Sequence, residues 1–409
     1  MDNNTIEEKF NQIFDAKIKP YVSSLENERL SIKKFVQSML PVNILLFIGV
    51  FVLIGGIALK FIPPKISAIS IISILVIFTP ISIITQLKIK KLRKRIKEET
   101  FPPLLTVFGN LQIGQKDCIT LKELKQSGLF PRATKKRDDD SFVGTYKGLN
   151  IKILETLITH VETSNQYSVG VKFDNNNHDS ASNQTIVDFR GLLIKIQMNK
   201  NFTGHTVVKQ KTMDYKEIIN NLHEINKTDP DILSNELMAL FDKIYNNPIT
   251  QKIIEAKTFM DKKGIDINPD GISIDFGKNK APKKLQKVTL EDPEFDDKYN
   301  VFSDDQVESR YLLTPTFMER FKNLSKVFLS FESSCVFEND CITLAISPFV
   351  IDSFKAAELT TTQQELFEII YDYKKDSLLD KKNYLKVFKQ LLSIFNLIYY
   401  FKLDQKTGI

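Results

Sequence analysis

Two uncharged runs flank a pair of prolines near the start of this chain. VNILLFIGVFVLIGGIAL covers Val42 to Leu59 and ISAISIISILVIFTPISIITQL covers Ile66 to Leu87, with KFIPPK between them. At about 1.5 Å per helical residue the runs measure about 27 and 33 Å, and the hydrocarbon core of a bilayer is about 30 Å thick. Pro63 and Pro64 cannot continue a helix and force the chain to reverse. The spacing predicts a transmembrane helical hairpin over 41–87, its helices at 42–62 and 66–87, with Lys60 snorkelling at the first exit. Ser67, Ser70 and Ser73 on one helix and Gly49 and Gly56 on the other would let the two pack closely.

The charge distribution orients this hairpin. The 409 residues carry a net charge of +6, and Lys88, Lys90, Lys91, Arg93, Lys94, Arg95 and Lys97 supply seven positive charges with no acid among them. Without that block the remainder is close to neutral, so the basicity is a local patch and no nucleic-acid partner is expected. Lys33, Lys34 and the block lie at one end of the hairpin, and only Lys60 and Lys65 at the other. The positive-inside rule then puts both termini in the cytoplasm and the seven basic residues against the anionic headgroups of the lipid bilayer. Cys118, Cys335 and Cys341 are too few and too irregularly spaced for a disulfide framework or a zinc site, and read as small apolar thiols in a reducing compartment.

Periodicity divides the rest of the chain. Residues 1–40 form an amphipathic helix, with Ile6, Phe10, Ile13, Phe14, Ile18, Val22 and Leu25 at spacings of three and four and Pro20 interrupting it. A basic juxtamembrane helix or linker fills 88–117. From 118 to 212 and again from 281 to 361 the period is two, in segments such as GLNIKILETLITHVE, DFRGLLIKIQ, KYNVFS and VFLSFESSCVFENDCITLAIS, with turns at Tyr146-Lys147-Gly148 and Glu338-Asn339-Asp340. Residues 213–280 read as a helical insertion. Residues 362–409 read as C-terminal helices, in which the 11-residue run Leu391 to Phe401 is a buried core helix too short to span. The fold class is therefore α+β: an N-terminal two-helix transmembrane hairpin, then a mixed, mainly antiparallel sheet domain with a helical insertion and C-terminal helices.

Candidate chemistry concentrates between Glu291 and Glu308, where there are eight acids and a single lysine. Asp304, Asp305, Glu308 and Arg310 are the candidate ligand- or partner-binding residues, because converging carboxylates suit a divalent cation, a basic partner or acid–base chemistry. The same stretch fits helix punctuation, which is the favoured reading. Asp305 and Glu308 have capping-box spacing, Thr314 can cap a helix that begins at Pro315, and Phe317, Phe321 and Leu324 share one face. DINPDGISIDFG imitates a calcium loop at Asp266, Asn268 and Asp270 but has Gly277 where the bidentate Glu belongs, so a turn into a short strand is expected. His160, His178, His205 and His223 lack metal-ligand spacing, and His205 reads as a strand histidine with a satisfied ring. There is no phosphate-binding loop and no nucleophile elbow, so no metal and no cofactor are expected.

VTLEDPEFDDKYNVFSDDQVESRYLLTPTFMERF, Val288 to Phe321, follows DDSFVGTYKGLNIKILET, FRGLLIKI and NFTGHTVV in that order. These segments resemble DUF3137, a bacterial membrane family of unknown function, over residues 120–345 outside 213–280. The resemblance implies a multi-pass bacterial inner-membrane protein and brings no catalytic residues. The expected function is that of a non-catalytic cytoplasmic domain that binds a protein, lipid or ligand near the membrane surface. The alternatives are a membrane-anchored, hydrolase-like enzyme using the 291–310 carboxylates, or a structural subunit of a membrane complex.

Overall fold

The computed structural model describes residues 3–58, 64–163, 183–200, 202–211, 265–268, 271–274, 285–324, 330–348 and 376–403, with 248, 252 and 374 singly. The chain divides into two compact units, Met1–Phe108 with Phe367–Leu391, and Gly109–Leu366 with Leu392–Ile409.

The first unit is helical. α1 (Asn3–Ile13), a π-helical turn (Phe14–Ile18) and α2 (Lys19–Ala58) follow one another without a break. Phe10, Phe14, Ile18 and Val22 are all buried, at a strict spacing of four. In a 3.6-residue helix that spacing drifts by about 40° per step. The wider π turn, closed by the Lys19 N–H donating to the Phe14 carbonyl, takes the drift back. Pro20 supplies the cause, since it lacks an N–H and its ring presses on the carbonyl four residues earlier. The interruption expected at Pro20 is thus a local widening, and the apolar stripe stays continuous. α3 (Pro64–Leu105) packs along α2 and buries Ile89, Leu92, Ile96, Phe101 and Leu104. The start of the C-terminal helix (Lys381–Tyr400) completes the unit, its Phe388 ring 5.0 Å from Phe10 and its Tyr384 ring 5.3 Å from Phe14. Glu26 fastens the preceding segment, accepting hydrogen bonds from Arg29, the Ser377 hydroxyl and the Leu378 N–H.

Among the described residues no helix is long and apolar enough to cross a membrane. This overturns the transmembrane hairpin expected over 42–62 and 66–87. The two apolar runs belong to helices of 40 and 42 residues that continue into charged, amphipathic turns packed against protein. Uncharged length is necessary for spanning and not sufficient.

The second unit is built on a sheet. Its elements are β1 (Asn110–Ile113), α4 (Leu121–Gln126), β2 (Lys135–Tyr146), β3 (Leu149–Thr163), β4 (Asn183–Gln197), β5 (Thr206–Gln210), β6 (Ile265–Asn268), β7 (Gly271–Ile274), β8 (Gln286–Val288), α5 (Pro293–Lys298), β9 (Tyr299–Ser303), α6 (Gln306–Leu312), α7 (Pro315–Lys322), β10 (Ser330–Glu338), β11 (Cys341–Pro348) and the second half of the C-terminal helix, α8. One sheet runs β1-β2-β3-β4-β11-β10-β5-β9-β8, and β6 and β7 pair separately. Each of these pairs is antiparallel, so the mixed sheet expected is a purely antiparallel one. The reason is connectivity: strands consecutive in the chain make most of the neighbouring pairs, and the β4–β5 connection steps over two strands, an even number, which preserves the alternation.

The expected turns are present. Lys147 and Gly148 join β2 to β3 with φ of 50° and 79°, and Asn339 and Asp340 join β10 to β11 with φ of 52° and 56°. Two left-handed residues in a two-residue loop match the right-handed twist of the flanking strands. Asp266 and Asn268 stand on β6, paired with Ser273 and Gly271, which gives the calcium-like sequence its short strand; residues 269 and 270, where the turn is expected, lie outside the described residues. The rest of the 213–280 insertion, apart from Pro248 and Lys252, lies outside the described residues.

Alternation along the strands gives the sheet two apolar faces. Leu154, Ile158, Phe189, Leu193 and Ala345 pack under Ile119, Leu124 and Ala133. On the other face Phe337 of β10 meets Phe317 of α7 at 5.5 Å, and Phe317 meets Phe401, at the end of α8, at 5.0 Å. Leu391, Ile394, Phe395, Leu397, Ile398 and Phe401 are all buried, as the C-terminal run predicts.

Candidate functional site

The sheet order sets up the site. β10 and β11 lie between β4 and β5, so the connection from 198 to 205 has to cross the turn of that hairpin. Asp340, in the turn, holds the connection at its start: its carbonyl accepts from Met198 N–H at 2.7 Å and its carboxylate from Phe202 N–H at 3.0 Å. Glu308 of α6 accepts from the next two amides, Thr203 at 3.1 Å and Gly204 at 2.5 Å. Asp304 accepts from His205 N–H at 2.6 Å. Four successive amides are thus held by three carboxylates, charge-assisted bonds of the stronger kind. The His205 ring is fixed as well: Nε2 lies 2.9 Å from the Ser127 carbonyl, an acceptor only, so Nε2 carries the proton.

The predicted acidic site is therefore a clamp and not a converging ligand set. Asp305 caps α6, accepting from Val307 and Glu308 N–H at 2.9 Å each. Its own N–H goes to the Ser303 hydroxyl at 3.1 Å, so only half of the expected capping box forms and Glu308 is released to reach the loop. Arg310 points elsewhere, donating to the Gln306 and Thr289 carbonyls at 3.0 and 3.1 Å and pairing with Glu291 at 3.4 Å. Thr314 caps α7 ahead of Pro315, as its spacing predicts. Among the described residues no group of three or more His, Cys, Asp or Glu is placed to hold a metal ion.

Two residues before the clamped amides lies a group that sequence reasoning passed over. Lys200, in the connection that follows β4, is 5% exposed. Among the described residues its Nζ has no hydrogen-bond partner, and it stands 5.1 Å from the centre of the Tyr311 ring. Burial alone pushes its amine below the usual lysine range. No sequence signal marks it, because lysine is solvated by default and the residues that bury it come from elsewhere in the fold.

A second buried lysine behaves in the opposite way. Lys322 of α7 is 9% exposed and lies 2.9 Å from Asp292, 2.9 Å from Glu294 and 3.1 Å from Glu319. Burial works against its charge, but the hydrogen bonds it donates to these three carboxylates outweigh it and hold the ammonium well above the ordinary range. Burial likewise pushes Asp292 up, yet its bond to Lys322 and the N–H groups of the helix it caps bring it below the usual carboxylate range. Half of the acids of the 291–308 stretch are used in these two arrangements: Asp292 and Glu294 on Lys322, and Asp304 and Glu308 on the loop.

In the helical unit the basic block lies along α3. Lys88, Lys90, Lys91 and Lys94 are exposed, while Arg93, Arg95 and Lys97 are half-buried between the buried residues Ile89, Leu92 and Ile96. Arg95 is taken up by Glu28 of α2 at 2.5 Å. Large apolar side chains continue the same surface: Ile83, Ile84 and Leu87 on α3 and Ile44, Leu45, Ile48, Val52 and Ile54 on α2 are exposed, Leu45 at 68%.

A nine-stranded antiparallel sheet carrying a carboxylate-clamped crossover loop defines an α+β protein. The chain belongs to DUF3137, a protein family of unknown function, whose family model matches residues 187–403. The match takes in the loop, its clamp, the 213–280 segment and α8, and so begins later and ends later than the resemblance read from the sequence. No curated relative and no solved structure matches the chain.

Proposed function

We propose that the protein is a binding module working at an anionic bilayer surface, on the cytoplasmic side of a bacterial membrane. The observation that carries this reading is the set of exposed apolar side chains Ile44, Leu45, Ile48, Val52 and Ile54 on α2 and Ile83, Ile84 and Leu87 on α3, the last three next in sequence to the exposed lysines 88, 90, 91 and 94. Exposed apolar side chains on this scale need a cover. Lipid supplies an apolar interior for the isoleucines and leucines and anionic headgroups for the lysines, each worth about 1 kcal/mol near the surface. The clamped loop of the sheet unit is then the part that meets a ligand. The enzyme reading built on the 291–310 carboxylates has less support, because Asp304, Asp305, Glu308 and Arg310 are engaged in holding backbone.

Flotation of the full chain with vesicles tests this. Binding to vesicles containing phosphatidylglycerol should exceed binding to pure phosphatidylcholine and fall at least tenfold, on the order of 1 kcal/mol per residue, when Lys88, Lys90, Lys91 and Lys94 are replaced by Glu. Equal recovery with both vesicle types, or no loss on charge reversal, would overturn the reading.

A further inference from the structure

Among the described residues of the sheet unit three lysines have buried side chains, and two of them are paired. Lys136 lies 2.9 Å from Asp117 and 2.6 Å from Asp138, and Lys322 has its three carboxylates. Lys200 is as buried as either, yet no acceptor reaches its Nζ among the described residues. The acids of the adjoining loop, Asp304, Glu308 and Asp340, are each occupied by loop amides. Lys200 therefore sits beside a rigidly held backbone, walled by one aromatic ring, with its nitrogen uncommitted. Tyr311, the wall, is itself 56% exposed.

Burial without an acceptor works against the ammonium and lowers the amine below the usual lysine range, while the Tyr311 face still attracts the charge. A desolvated lysine beside an apolar wall is a standard way to make a nucleophile of an amine. We propose that Lys200 is a covalent capture site for a small uncharged aldehyde or ketone. The Nζ lone pair attacks the carbonyl carbon to give a carbinolamine, which loses water. A C=N bond replaces the C=O bond, the carbonyl oxygen and the two amine hydrogens leave as water, and no oxidant or reductant takes part. A buried site without an acceptor disfavours an anionic carbonyl acid, whose charge would lose its hydration there, which is why the substrate class is uncharged. This inference stands apart from lipid binding, since it concerns the other unit and a different group.

Incubation of the full-length protein at pH 7 with glyceraldehyde and cyanoborohydride, followed by peptide mapping, tests it. Lys200 should be converted to the secondary amine roughly tenfold or more faster than the exposed Lys94. Glyoxylate, the anionic counterpart, should label Lys200 more slowly than glyceraldehyde. Lys200→Arg should abolish this labelling while the circular dichroism spectrum is unchanged. If Lys200 is labelled no faster than Lys94, or stays unlabelled, the capture site does not exist. If glyoxylate matches glyceraldehyde, the assignment to an uncharged substrate fails.

Discussion

Gly204 has no side chain, and Glu308 uses the space. A Cβ built at this glycine would lie 2.2 Å from Glu308 Oε2, with Asp304 Oδ1 and Asp305 Cβ both at 3.3 Å. The glycine is required for close approach, so a methyl group there competes with the carboxylate for one position. Gly204→Ala is expected to destabilise the protein by about 2 kcal/mol, the scale of losing hydrogen bonds to a charged group. In a Glu308→Ala background the same substitution should cost only a fraction of that, because the carboxylate is gone. Urea midpoints of the two single variants and the double variant give the coupling. Additive losses would mean that Glu308 does not hold the loop. At this scale the residue types at 304, 305 and 308 were legible as helix punctuation, and Asp305 is a cap. The reach of Glu308 was not, because its partners are about a hundred positions away in the chain.

Between elements, Lys322 ties the end of α7 to the first turn of α5 through Asp292 and Glu294. Both carboxyls are held below their ordinary values, Asp292 with burial opposing and Glu294 mainly by its bond to Lys322. A carboxyl lowered in the folded state stabilises fully above its unfolded value, about 4, and loses that contribution as pH falls through the folded value. Lys322 is raised, so its contribution is complete below about 10.5 and is lost only as pH rises past its folded value. The tie is complete between about pH 5 and 10. Lys322→Met should cost roughly 2 kcal/mol at pH 7, a modest figure because Glu294 and Glu319 are largely solvated. Its cost should shrink steadily between pH 5 and pH 2, read as the difference in urea midpoint from the parent protein. A cost independent of pH would rule the tie out. Caps and two-residue turns were readable here from Thr314-Pro315, Lys147-Gly148 and Asn339-Asp340, since each depends on neighbours in sequence. The two long helices were readable as helices too, but uncharged length misread them as a membrane-crossing pair.

For the whole molecule, the sequence displays strands and not their order. β4 and β5 look like consecutive neighbours around a short turn, yet β11 and β10, more than a hundred residues later, occupy the place between them. Nothing in the period-two pattern distinguishes a central strand from its neighbour, because partners are chosen by burial across the finished sheet. Lys200 was hidden for the same reason: its surroundings exist only once that order is complete. The topology also has a temporal side. A growing chain emits β4 and β5 long before the pair that will sit between them, so both carry an unsatisfied edge during synthesis. Such late, distant pairing makes for slow assembly and exposure to aggregation. A chain stopped at residue 325 should accordingly be recovered as insoluble material or show no cooperative unfolding, whereas a cooperative, soluble product would contradict the order of events inferred here. The hairpin at 330–348 thus acts as a keystone, and the cell has to shelter the rest until it arrives.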